Sequence, residues 1–141
     1  MRCILDTNVV VSALTSRNPQ SPPVQIVRMA LLGNLPILKS ISWKKEIKEV
    51  LSRPSILALT RKTPEELEVF LKALCEPLQP YDPISSQEAP DPKDTFLWAL
   101  LEDNPDAILV TGDKKLLASG DFPGRVFSPS AFLGAFPFFG G

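Results

Sequence analysis

Two short apolar runs, RCIL at residues 2–5 and AILV at 107–110, most constrain the fold. Each is too short for a helix and apolar throughout its interior, as a strand buried on both faces is. A helix-forming segment follows each run, VVVSALTS after the first and KKLLAS after the second. Strands that alternate with helices build a parallel sheet covered on both sides. The sequence therefore predicts an α/β fold: a three-layer α/β/α sandwich around a mostly parallel sheet.

The remaining elements follow from periodicity and capping. Residues 17–23 read as a loop, 24–32 as a helix stopped at Gly33-Asn34, and PILKSIS at 36–42 as a second strand. A helix is expected from after Ser42 to before Pro54, because Trp43, Ile47, Val50 and Leu51 form one stripe. Thr63, Pro64 and Glu66 carry a capping-box pattern for a helix that ends near Cys75. Five of the fifteen prolines fall in residues 77–92, which marks a stiff loop with at most a brief strand. DTFLWALLED (94–103) reads as helix, RVF (125–127) as a last strand and SPSAFLGA as a capped short helix. The 141 residues suit one domain, spanning 1–141, with an aromatic and glycine tail over 134–141 that is exposed by default or docks on the body or a partner.

No apolar run approaches the roughly 20 residues that cross a bilayer, and Asp6 and Asn8 break the apolar N-terminus where a secretory signal would not be broken. Cys3 and Cys75 make no metal-ligand spacing and suit the core of a protein in a reducing cytoplasm. Without histidine, any metal must be held by oxygen, which disfavours zinc.

Net charge is −1, so the field of the whole molecule does not announce a nucleic-acid ligand. Its distribution is uneven. Residues 39–62 hold seven basic side chains against two acids, and residues 63–106 hold eleven acids against two lysines. A basic lip beside an acidic region suits a polyanion held over a metal, and Lys44, Lys45, Lys48 and Lys114 are candidate phosphate contacts.

In open α/β sheets, ligands bind beyond the carboxyl ends of the strands. Asp6 directly follows the first run, Asp113 follows the second by way of Thr111-Gly112, and Asp94 opens the helix that returns to that second run. Each could merely cap a helix, as Asp91 could in the DPKD segment. Capping gives no reason to gather them, because clustered carboxylates raise one another's pKa and cost stability unless a cation intervenes. Glu46 adds a fourth acid: at about 100° per residue it lies about 85° from the centre of its helix's apolar stripe, bordering the buried face. Glu49, about 145° away, is the better candidate for pairing with lysines in solvent. Oxygen donors of this kind suit Mg²⁺ or Mn²⁺, whose natural partner is a phosphate group.

The segments ILDTNVVVSAL, SWKKEIKEVLSRP, DPKDTFLWALLEDNPDAILVTGDKKLL and SPSAFL resemble PIN-domain ribonucleases in content and order. The toxin components of toxin–antitoxin pairs are the nearest likeness. The resemblance implies a cytoplasmic, Mg²⁺- or Mn²⁺-dependent endoribonuclease cutting single-stranded RNA, a homodimer, and a cognate antitoxin. By position, Asp6, Glu46, Asp94 and Asp113 match the family's catalytic and metal-binding acids, and Asn8 and Thr111 match supporting polar positions. Lys93 stands where the family often carries another acid. Alternatives are a PIN-like binding module that does not cut, a receiver-type phosphorelay domain and a metal-dependent phosphatase. Thr111-Gly112-Asp113 occupies the place of a receiver's lysine, and Thr7-Asn8 breaks the DxD pair of a phosphatase.

Overall fold

The computed structural model describes residues 1–84 and 88–137. The described elements run β1 (Cys3–Leu5), α1 (Thr7–Thr15), α2 (Pro22–Leu31), α3 (Ile41–Leu51), α4 (Pro54–Thr60), α5 (Pro64–Cys75), a 3₁₀ turn (Pro92–Asp94), α6 (Thr95–Asp103), β2 (Ile108–Val110), α7 (Lys114–Ala118), β3 (Val126–Phe127) and α8 (Pro129–Ala135). The three strands form a parallel sheet in the order β1-β2-β3.

Side chains alternate across a strand, so each short strand feeds two cores. On one face Cys3, Leu5, Ile108 and Val110 join Val9, Ile26, Trp43, Ile47, Leu71 and Phe132 from α1, α2, α3, α5 and α8. On the other, Ile4 and Leu109 join Leu97, Trp98, Leu100, Leu101 and Leu116 from α6 and α7. The fold is thus an α/β sandwich. Among the described residues no helix is long and apolar enough to cross a membrane.

Helix starts follow local chemistry. Thr63 and Glu66 form the reciprocal capping box at α5, and Ser128 accepts from the Ala131 N–H at α8. Other elements depart from the sequence reading. PILKSIS is not a strand: Ile37 makes a single parallel bridge to Cys3, and the chain turns at once into α3, capped by Ser40 rather than starting after Ser42. Pro36, which has no N–H to give, accepts from Cys3, and Leu38 donates back to the Cys3 carbonyl. The start of α2 reaches back to Pro22, since proline fits the first helical positions. PSILALT, which follows the expected helix end at Pro54, forms α4 for the same reason and closes at Arg61 in the left-handed region, φ 57°. The supposed tail begins later than residue 134: Gly134 and Ala135 complete α8, and Phe136 packs against Phe127 and Phe132 at ring centroid distances of 5.6 and 5.2 Å. The rest of that tail, residues 138–141, lies outside the described residues, as do residues 85–87 of the proline-rich loop.

One buried hydrogen bond joins α3 to the sheet. Trp43, fully buried, donates from Nε1 to the Leu5 carbonyl at 2.6 Å, at the last residue of β1. Trp43→Phe leaves that carbonyl without its partner and opens space beside it, so unfolding in urea should show a loss of about 2 kcal/mol or more. A loss within measurement error would mean that neither the hydrogen bond nor the extra volume of the indole contributes to stability.

Candidate active site at the sheet edge

The parallel register sets the geometry. Leu5 pairs with Val110, so the residues that follow, Asp6 and Thr111, stand side by side at the carboxyl edge. The Asp6 N–H donates to the Val110 carbonyl at 2.9 Å, and the Thr111 N–H donates to the Phe127 carbonyl at 2.9 Å. The Thr111 hydroxyl donates to Asp6 Oδ2 at 2.6 Å and accepts the Asp113 N–H at 3.0 Å. One buried hydroxyl therefore links two acids from separate strands. Asn8 completes the frame: its amide donates to Asp6 Oδ2 at 3.2 Å, and its Oδ1 accepts the Gly112 N–H at 3.1 Å.

Capping accounts for some of these acids and not others. Asp113 caps α7 through one oxygen, which accepts the Lys115 N–H at 2.8 Å, and Asp91 caps the 3₁₀ turn by accepting from Lys93 at 3.0 Å. Asp6 occupies the N-cap position of α1 but makes no side-chain cap bond. Asp94 makes none at α6 either, although it is buried.

The electrostatics show that the four acids share one environment. Burial is the main cause that raises the Asp6 carboxyl above its ordinary range, with Asp113 adding to it and Thr111 opposing it. Burial again leads for Glu46, followed by the charge of Asp6. Burial and then Asp6, Glu46, Asp91 and Asp113 push Asp94 up to about 7. Asp6 thus stands at the centre of a set drawn from β1, α3, the start of α6 and the end of β2.

Glu46 is the acid whose burial is least compensated. Its Oε2 and the Thr7 hydroxyl are both buried and form no bond of good hydrogen-bonding geometry among the described residues, although Thr7 lies close enough to favour the charged form of the carboxylate. A buried carboxylate oxygen left so is costly unless a proton, water or cation meets it. The donor set, oxygen alone, fits Mg²⁺ or Mn²⁺. Among the described residues, however, no three acids converge into a ready-made metal cage. Magnesium does not require one, because it binds through one or two carboxylates and keeps several waters for the substrate to replace.

The basic candidates divide. Lys44 and Lys48 turn away from the acids: they approach Glu76 and Glu68 at 3.9 and 3.7 Å and line a groove of about 350 Å³ between α3 and α5. Glu49, which sequence phase offered as a lysine partner, has no such ion pair among the described residues, since those lysines reach α5 instead. Lys45 and Lys114 are exposed. Two residues near the acids were not among the site residues the sequence pointed to, although Arg53 belongs to the basic lip of residues 39–62. Arg53, just beyond α3, favours the charged form of Glu46, and Thr7 stands beside that carboxylate. Thr7 was legible as the residue next to Asp6; nothing in the α3 periodicity reaches Arg53.

A family model for the PIN domain matches residues 2–115. No curated protein and no solved structure matches the chain.

The raised acid fixes a pH dependence. Asp94 ordinarily titrates near 3.8 and here at about 7, so the folded state holds a proton that the unfolded chain has released between those values. That contribution to stability is complete below 3.8 and is lost as pH rises through about 7. In EDTA the melting temperature should fall from pH 5 to pH 8, and Asp94→Asn should flatten the decline. A wild-type melting temperature that rose over this interval would contradict the shared environment.

Proposed function

The chain belongs to the PIN-domain family, and on that premise we propose that it is a divalent-metal-dependent endoribonuclease acting on single-stranded RNA. PIN domains are usually nucleases, that is hydrolases, and typically use divalent metals. The observation that carries the finer reading is the gathering of Asp6, Glu46 and Asp94, buried or half-buried, each raised by burial and by carboxylate neighbours. A fold gains nothing by gathering acids unless a cation uses them.

In this reading Asp6, Glu46, Asp94 and Asp113 would hold Mg²⁺ or Mn²⁺, which when bound supplies an activated water and stabilises the leaving oxygen of an in-line displacement. The chain's own groups do the rest. Thr111 and Asn8 hold Asp6 Oδ2 in a fixed orientation, and Thr111 ties the Asp113 backbone to it. Glu46, its carboxyl raised by burial and by Asp6, offers an acceptor for the proton of the attacking water. Exposed Lys45, Arg53 and Lys114 supply cations for the RNA backbone.

We further read the protein as the toxin of a toxin–antitoxin pair, acting in the cytoplasm as a homodimer held in check by a cognate antitoxin. Its basis is the sequence resemblance. A second reading, a binding module that does not cut, draws on the lack of a preassembled metal cage among the described residues.

Wild type and Asp6→Asn should be incubated with labelled single-stranded RNA, in Mn²⁺ or in EDTA. Wild type should cleave in Mn²⁺ only, and the variant should be slower by at least about 100-fold. Cleavage that persists in EDTA would defeat the mechanism, and RNA retained intact by both proteins would favour the binding module. Induced expression of the wild type, and not of Asp6→Asn, should arrest growth if the protein is a toxin.

A further inference from the structure

The first turn of α3 is closed by a residue from a distant part of the chain. Ser40 Oγ accepts the Trp43 N–H at 3.1 Å, and the Lys44 N–H returns to the Ser40 carbonyl at 3.1 Å. The two remaining donors go to Asp82: Ile41 N–H to Oδ1 and Ser42 N–H to Oδ2, both at 2.9 Å. The Ser42 hydroxyl also donates to Asp82 Oδ2. Three of the N–H groups that a helix leaves open at its start, those of Ile41, Ser42 and Trp43, are thus satisfied, two of them by one carboxylate. Its negative charge also suits the positive end of the helix.

Asp82 lies 40 residues beyond Ser42, between Tyr81 and Pro83 in the proline-rich loop. A serine or threonine could cap a helix locally, and Ser40 already does so. What the distant carboxylate adds is a tie between this helix and the segment that runs on to Asp94. Ser42 and Glu46 are four residues apart and therefore share one face of α3. Holding Ser42 by both backbone and hydroxyl sets the axial rotation at which Glu46 meets Thr7 and Asp6. Trp43 fixes the same turn to β1 from the core side.

We propose that Asp82 is a positioning residue for the active site: by clamping the first turn of α3 it fixes the place of Glu46 among the acids. The proposal rests on reading Glu46 as one of the metal-holding acids. Groups that orient ligands from behind commonly change metal affinity about 10- to 100-fold when removed.

The test compares wild type with Asp82→Ala and Asp82→Asn, the latter keeping one acceptor should the alanine variant fold poorly. Three quantities are read: amide exchange at Ile41 and Ser42, nuclear Overhauser contacts between Glu46 and Thr7, and the Kd for Mn²⁺ without RNA. Both variants should exchange faster at those amides, lose the Glu46–Thr7 contacts and bind Mn²⁺ about tenfold more weakly. Faster exchange with the Glu46–Thr7 contacts intact would overturn the proposal and reduce Asp82 to a helix cap. Lost contacts with an unchanged Kd would uphold the placement and remove Glu46 from the metal shell. If wild type binds no Mn²⁺, the metal reading fails, and the Glu46–Thr7 contacts alone decide the role of Asp82.

Discussion

The parallel pairing of Leu5 with Val110 is the constraint on which the site depends. It places Asp6 beside Thr111, and a shift by one residue would send each strand's side chains to the opposite face. The two-sided core resists such a shift. Cys3, Leu5, Ile108 and Val110 are committed to one helical layer, while Ile4 and Leu109 are committed to the other. Three-residue strands could not hold their register by backbone hydrogen bonds alone; the helices on both faces make it unique.

The acids occupy a place where folding works against them. Burial raises Asp6, Glu46 and Asp94, and each neighbouring carboxylate raises them further. The fold offsets this with fixed dipoles rather than with salt bridges. Thr111 and Asn8 donate to Asp6, and the Thr7 and Asn8 backbone at the start of α1 favours its charged form. Among the described residues, the lysines of α3 that form ion pairs do so with α5, leaving the acidic edge undercompensated. An edge so left has the character that suits the divalent metals PIN domains typically use.

Much of this was legible in the chain. The two apolar runs gave β1 and β2 to within a residue, and the Thr63 capping box gave the start of α5. The phase of Trp43, Ile47, Val50 and Leu51 assigned α3 its buried face: three are buried and Val50 is half-buried. The sequence was less informative where local signals were ambiguous. Pro22 and Pro54 read as breaks because proline ends helices as readily as it begins them. PILKSIS read as a strand, yet Pro36 and the Ser40 cap left room for a single bridge.

The sequence by itself determined which residues could carry chemistry: a chain without histidine, whose acids follow strands and border a helical stripe, can bind metal only through oxygen. Those properties are local, set by residue type and by the period of each element. Only the tertiary structure decided which acids perceive one another, which lysines turn away, and that Asp82 closes the helix carrying Glu46 from 40 residues downstream. Such contacts depend on the relative placement of separately folded segments, and no local period encodes that placement.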